Sequence, residues 1–357
     1  MDANKKIVIS NKCLISGGSE KILDKMSNYY SIPKLEFEFT ININDKSIGV
    51  IGLNNILWAN ERANLNIFLD KEIDCNIVLN KLSNIINDYI EYVHKLNIYN
   101  VMFTVNGSNK IMIDLIKRTK MEYYGVIPFG AYTENNIESN YMFQHIPNMK
   151  KRKDVIIPEN KSVIDSLLYT KKKKMEEYIE LKNGFKLIAP KLLEHKNISI
   201  EAILNEHIKA MQNRDKFTIP LGEDKYILQK GNEKYGLFKA FMNYTYIVLN
   251  RDNDYAGYIS ILRTNANGKN AEIEIGIAPK MQHKGLGTVV INRFYEELFS
   301  IGYACVTSAV FEFNTPSLKL HEKVAKLNGV RLNSYYANNK LWNLSYYSKV
   351  NSIIENN

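Results

Sequence analysis

The chain has 357 residues, 45% of them hydrophobic and 24% charged, with a net charge of +9; at roughly 100–200 residues per domain this argues for two domains of ordinary size. Disorder, collagen and a disulfide scaffold are excluded by that composition, and the three cysteines Cys13, Cys75 and Cys305 form no CxxC or Cys/His cluster, so no metal centre is expected. The basic excess comes from 39 lysines against 8 arginines; the bidentate Arg fork that grips phosphates and bases is scarce, which argues against a nucleic-acid partner.

The longest uncharged stretch, residues 298–311, falls short of the ~20 apolar residues that a membrane helix needs, so no membrane partner is expected. Asp2, Lys5, Lys6 and Lys12 stand where a signal peptide would need an unbroken apolar run. A cytoplasmic, reducing location is the expectation.

In chain order, residues 48–53 lead after a polar turn to residues 63–69, both alternating apolar and polar with period two, which predicts a strand pair. A helical pattern follows over 77–95, a strand over 101–105 and a second helical run. Composition then shifts between 147 and 182, where basic runs at 150–153 and 171–174 flank Pro158-Glu159-Asn160; such runs read as a solvated connector. Beyond it, residues 256–261 and 271–277 repeat the strand pair. Gly49 to Ala63 and Gly257 to Ala271 are the same distance, so the segments align without a gap. A helical pattern over 285–299, a strand over 304–313 and another helix-like run complete the second copy. The order strand, strand, helix, strand, helix occurs twice, which predicts two α/β modules, residues 1–148 and 178–357, joined by a basic linker over 149–177.

The chemistry concentrates in the second module. Its strand ends at Pro279 and runs into Gln282-His283-Lys284-Gly285-Leu286-Gly287-Thr288, just before an amphipathic helix. Two glycines one residue apart at a helix start let the backbone approach a ligand, and the free N–H groups of the first turn favour a phosphate or pyrophosphate. The segment is no Walker loop, and it lacks the third glycine of the dinucleotide fingerprint.

These residues resemble the GNAT superfamily of acetyl-CoA-dependent N-acyltransferases, whose signature Gln/Arg-x-x-Gly-x-Gly/Ala follows the fourth strand. Gln282 to Gly287 match it in full, and residues 314–323 (Asn-Thr-Pro-Ser-Leu-Lys-Leu-His-Glu-Lys) are similar to the family's Asn-x-x-Ala-x-x-Leu-Tyr-x-Lys segment. The resemblance covers most of residues 200–345. It implies an α/β (α+β) fold in which each domain is a mixed, mostly antiparallel twisted sheet flanked by helices. It also implies acetyl-CoA as acyl donor, with pantetheine on the backbone of Ile275, Gly276 and Ile277, pyrophosphate on His283, Lys284, Gly285, Leu286, Gly287 and Thr288, and further cofactor contacts from Gln282 and Asn314.

One departure concerns the general acid, because the family's Tyr is replaced by His321. An imidazole can protonate a thiolate; equally, His321 can simply pack. The first module is similar to the same family through residues 51–56 and 109–113, with its chemistry removed. In the gap-free register Gly285 and Gly287 correspond to Ile77 and Leu79, Glu272 and Glu274 to Asn64 and Asn66, and His321 to Ile113 or Ile116. The arrangement resembles that of mycothiol synthase, in which a degenerate GNAT domain precedes an active one.

Acyl transfer to an amine needs a base, since an alkyl ammonium has a pKa near ~10. Glu272 and Glu274 lie two apart on the strand entering the loop, so both project from one face; Glu272 stands where the family most often places its base, and the N–H of Ile277 is the expected oxyanion donor. The expectation is therefore an N-acetyltransferase that moves acetyl from acetyl-CoA to a primary amine of a small molecule by direct attack. Alternatives are a protein or peptide N-acetyltransferase and a non-catalytic CoA-binding regulatory protein; a tRNA-dependent aminoacyl transferase would use the basic linker but does not need the intact pyrophosphate loop. Tyr335, Tyr336, Trp342 and Tyr346 read as core or surface residues before pocket residues, and oligomerisation is left open.

Overall fold

The alternation over residues 63–69 becomes a strand, Arg62–Leu69, in which every second side chain is buried. The computed structural model describes residues 7–10, 13–16, 34–44, 46–70, 75–133, 136–148, 157–160, 162–164, 168, 174–218, 245–264, 269–337 and 340–355. The basic runs at 150–153 and 171–173 lie outside them. Two compact units emerge: residues 1–125 with 140–160, and residues 126–139 with 161–357.

The first unit contains β1 (Ile7–Ser10), β2 (Cys13–Ser16), β3 (Glu36–Ile43), β4 (Lys46–Leu57), β5 (Arg62–Leu69), α1 (Cys75–His94), β6 (Asn100–Asn106), α2 (Lys110–Lys117), and the inner parts of β7 (Glu122–Thr133) and β8 (Asn136–His145). β1 to β5 pair antiparallel in chain order. β6 is parallel to β5 and antiparallel to β8. In α1 the buried residues Leu79, Leu82, Ile85, Ile86, Tyr89, Ile90 and Val93 recur at three- and four-residue steps, one apolar stripe of a 3.6-residue period. Each such side chain contributes about 1.5–3 kcal/mol on burial. Asn109 caps α2, its Oδ1 accepting from the Met112 N–H at 3.0 Å.

At the end of α1 in this unit, His94 Nδ1 lies 2.9 Å from the carbonyl of Ile98, and His94 Nε2 lies 2.8 Å from His145 Nδ1. A carbonyl only accepts, so His94 carries its proton on Nδ1 and accepts at Nε2 from His145 Nδ1–H. Burial lowers the pKa of both rings, and burial together with His94 and Lys120 brings His145 down to about 4, with Glu91 opposing. A His whose folded pKa is depressed binds fewer protons folded than unfolded, so stability is lost as pH falls from about 6.5 towards 4. We expect a lower urea midpoint at pH 5 than at pH 7, and His145→Phe should flatten that difference; an unchanged pH slope in the variant would rule the pair out as its source.

The second unit holds the outer parts of β7 and β8, then β9 (Ser162–Ile164), β10 (Tyr178–Glu180), β11 (Lys186–Ile188), α3 (Ile200–Thr218), β12 (Thr245–Leu249), β13 (Tyr255–Thr264), β14 (Asn270–Ile277), α4 (Leu286–Ser300), β15 (Cys305–Phe311), α5 (Thr315–Val324), β16 (Lys326–Ala337), β17 (Lys340–Val350) and α6 (Ser352–Glu355). β10 to β14 are antiparallel neighbours. β15 is parallel to β14 and antiparallel to β17, which pairs with β16. α4 packs Val290, Ile291, Phe294 and Leu298 against Ile259, Ala271, Ile273 and Val306 on one face of this sheet. Ile203 of α3 packs with Ile247 and Tyr258 on the other face. The sheet is thus mixed, mostly antiparallel and flanked by helices, as expected.

The outer β7–β8 segment is held within the second unit by specific contacts. Phe129 and Ile137 are buried with Ala304 and Cys305, Asn270 Nδ2 donates to the Pro128 carbonyl at 3.2 Å, and residues 136–138 pair with β9. Burial pushes the Cys305 thiol up to about 12, which leaves it an inert core group.

The strand registers of the two units coincide. Gly49, Val50, Ile51, Gly52 and Leu53 pair with Leu69 back to Leu65; Gly257 to Ile261 pair with Ile277 back to Ile273, a constant offset of 208 residues. The Asp70 N–H donates to the Ile48 carbonyl, and the Ala278 N–H to the Ala256 carbonyl, at 2.9 Å each. The parallel contacts run Arg62 to Asn100 and Asn270 to Cys305, so the offset has become 205 by β6 and β15. The second unit is three residues shorter between these strands, and the gap-free register ends there. With the offset of 205, Asn109 corresponds to Asn314 and Ile116, fully buried, to His321.

Candidate active site

β14 and β15 are parallel partners only from Asn270–Cys305 to Glu272–Thr307, although β14 continues to Ile277. Past Glu272 the strands part. The Ala278 N–H bonds to β13, and backbone groups alternate in direction along a strand, so the peptide groups of Ile275 and Ile277 face the opening. The Ile277 carbonyl indeed accepts from Gln282 Nε2 at 3.0 Å. Gln282 is thus a tether that folds the loop back onto β14.

The loop turns through two left-handed residues, His283 (φ 61°) and Gly285 (φ 76°). Gly285 is the N-cap of α4 and no side chain caps this helix; its first N–H groups have no acceptor within the helix, and together with the dipole they attract an anion. The Thr288 N–H is taken by the Gly285 carbonyl at 3.1 Å, and the Leu286 side chain is buried in the core, so Leu286 offers a ligand only its backbone. His283 and Lys284 are exposed. A Cβ on Gly285 would meet nothing within 4 Å, whereas one on Gly287 would lie 3.2 Å from Leu320 Cδ2 and 3.6 Å from Ile277 Cγ1. The two glycines do different things. Gly285 opens the loop outward; Gly287 brings α4 close to α5 and β14. A Cβ on Gly276 would sit 2.4 Å from Tyr258 Cε1, and that ring is held from the other side by His207 with centroids 4.5 Å apart.

Glu272 and Glu274 share the sheet face away from α4. Glu272 Oε2 is 2.9 Å from Arg263 Nε, with the Glu272 side chain 23% exposed and Arg263 76% exposed. Glu274 is half-buried and pairs across to Ser260, whose Oγ lies 2.8 Å from Thr245 Oγ1. Arg263 was not among the residues singled out from the sequence, because it meets Glu272 only across a β-bulge between Ile261 and Arg263.

Asn314 and His321 serve the helix α5. Asn314 Oδ1 caps it by accepting from the Ser317 N–H at 3.2 Å. His321 is 3% exposed; its Nδ1 is 2.8 Å from the Ser317 carbonyl, its ring lies 5.6 Å from that of Tyr347, and burial lowers its pKa. A neutral imidazole whose one proton is given to a carbonyl has none at Nε2 to donate. Among the described residues no group of three or more His, Cys, Asp or Glu side chains is arranged to hold a metal ion, and no described helix is long and apolar enough to cross a membrane.

No curated protein matches the chain. Two solved structures are similar over about half of it: an acetyltransferase (GNAT family) from Bacillus anthracis, at 17% identity over 49% of this chain and 99% of that one, TM-score 0.39, and spermidine N-acetyltransferase from Vibrio cholerae in complex with CoA and spermine, at 18% identity over 48% and 98%, TM-score 0.39. Residues 213–325 match the family model of the Acetyltransferase (GNAT) family, a span that includes the splayed strands, the loop and α5. The second half of the chain therefore carries a GNAT acetyltransferase domain.

Proposed function

We propose that this domain moves an acetyl group from acetyl-CoA to a primary amine of a small molecule. The observation that carries the reading is the parting of β14 from β15 just before a loop whose open side is Gly285. The donor set fits: an uncapped helix start suits a pyrophosphate, and the peptide groups of Ile275 suit the amides of a pantetheine arm. Bound there, acetyl-CoA supplies a thioester carbonyl and a thiolate leaving group.

The chain supplies position and proton transfer. The Ile277 N–H, fixed in the strand, would hold the carbonyl oxygen as charge grows on it, a dipole that reorganises little. Glu272 would take the amine proton through ordered water, while Arg263 holds Oε2 in place. The packing of His321 on Ser317 and Tyr347 favours a structural role for it, with the thiolate protonated from solvent.

We further propose that the first half is a silent copy of the same module and serves as scaffold. Its strand register repeats that of the second half, but α1 already runs from Cys75. The counterparts of Gly285 and Gly287 fall inside that helix under either offset, as Ile77 and Leu79 or as Asn80 and Leu82. Leu79 and Leu82 are buried. Asn64 and Asn66 replace both glutamates. Calorimetry should accordingly find one acetyl-CoA site per full-length chain, and thiol release should require an added amine. Two equivalent sites would end the silent-copy reading; absence of any binding would end the acetyltransferase reading of the site.

A further inference from the structure

Strand β14 carries a glycine, Gly276, where the corresponding strand of the first unit carries Phe68. Under the offset of 208, Tyr258 and Gly276 answer to Val50 and Phe68, and each of these pairs is directly opposed across its hairpin. In the first unit the ring stands on β5; in the second it stands on β13, over the glycine. The backbone of Gly276 does not demand this residue, since its φ lies outside the left-handed region. What excludes a side chain is the Tyr258 ring, whose Cε1 and Cζ lie 2.4 and 3.0 Å from the place of a Cβ. A strand glycine of that kind marks a close approach, and here the approaching group is a fully buried ring.

The ring is itself clamped. His207 of α3, also buried, meets it edge to face at 88° with centroids 4.5 Å apart, and His207 Nδ1 is 3.3 Å from the Tyr255 hydroxyl. Imidazole, phenol ring and glycine backbone thus stand in three layers. The Gly276 carbonyl turns to β13, its oxygen 2.4 Å from the place of a Cβ on Gly257, so the Ile275 carbonyl and the Ile277 N–H on either side of it turn to the opening. Both groups belong to peptide planes that pivot at the Gly276 Cα.

From this stack we infer that Tyr258 and His207 are positioning residues of the acetyl-transfer site, holding the Gly276–Ile277 peptide in the plane that aims the Ile277 N–H at the thioester oxygen. Glycine has more backbone freedom than any other residue, and a donor to a developing oxyanion is effective when it is fixed before the charge appears. The ring supplies the restraint that a side chain would otherwise give. It does so without filling the opening, because Tyr258 lies on the face that carries α3, whereas the N–H points along the sheet into the gap beside β15. The inference rests on the acetyl-transfer reading of this site.

The test uses the full chain and acetyl-CoA carrying carbon-13 at the thioester carbonyl, read by difference infrared spectroscopy beside calorimetry and thermal melts; no amine acceptor is needed. In the unaltered protein we expect the carbonyl band below its position for free acetyl-CoA in water, the mark of a fixed donor. Tyr258→Leu and His207→Leu should each abolish about half of that displacement or more, with Kd for acetyl-CoA changed by no more than about twofold. Tyr258→Phe and His207→Phe, which keep the rings, should retain it. A lower melting temperature with the band unmoved in the leucine variants reduces the pair to packing and overturns the inference, as does equal loss in the phenylalanine variants. If Tyr258→Leu does not fold, His207→Leu decides by the same outcomes; failure of both to fold assigns the pair to the core alone and also overturns it. An undisplaced band in the unaltered protein with acetyl-CoA bound overturns it yet leaves the cofactor site standing, whereas failure to bind acetyl-CoA removes both.

Discussion

Gly285→Val is expected to weaken acetyl-CoA binding by more than 100-fold with little loss of fold. The residue sits at φ 76°, a region that costs an L-residue roughly 1–2 kcal/mol, and its missing Cβ points where no protein atom lies within 4 Å. A branched side chain there occupies ligand space and pulls the loop away from its left-handed turn. Gly285→Ala should show a smaller part of both effects. Gly287→Val behaves differently: its side chain would press on Leu320 and Ile277, and such overpacking costs typically 1–3 kcal/mol. Calorimetry of acetyl-CoA binding paired with thermal melts separates the two. Normal binding by Gly285→Val would mean that the pyrophosphate lies elsewhere.

Glu272→Gln should lower kcat by about 10²–10⁴-fold at neutral pH, the usual contribution of a general base. The deficit should narrow as pH rises towards the amine's own pKa, because bulk deprotonation then does the work of the side chain. Arg263→Gln tests the same assignment from the other partner: it removes the group that holds Oε2 and should alter the pH dependence of kcat without changing KM for acetyl-CoA. If Glu272→Gln leaves the rate intact and Glu274→Gln abolishes it, the base lies two residues further along β14.

Much of this geometry was legible before any coordinates. The repeated distance from Gly49 to Ala63 and from Gly257 to Ala271 fixes the hairpin register, because a period-two strand cannot slip by one residue without turning its apolar side to water. Gln282 to Thr288 announced a loop at a helix start for the same local reason. What sequence could not tell was which way each glycine faces: Gly285 and Gly287 look alike in a motif, and only the neighbours Leu320 and Ile277 distinguish them. The Arg263–Glu272 pair was hidden by a bulge, and no local pattern shows that the Gln282 amide bonds back to the Ile277 carbonyl. The membership of residues 126–139 in the second unit depends on contacts with Asn270, Ala304 and Cys305, far along the chain, and no local pattern encodes it.

That last feature bears on how the protein is made. Phe129 and Ile137 leave the ribosome about 170 residues before Ala304 and Cys305, which at 5–20 residues per second is on the order of 9–34 s. Throughout that interval the segment has only β9 and Leu168 of its second-unit partners, and a chain released before Ala304 never completes the cluster. Nascent chains of this protein thus carry a built-in waiting period, and completion of this cluster is tied to the synthesis of Ala304 and Cys305.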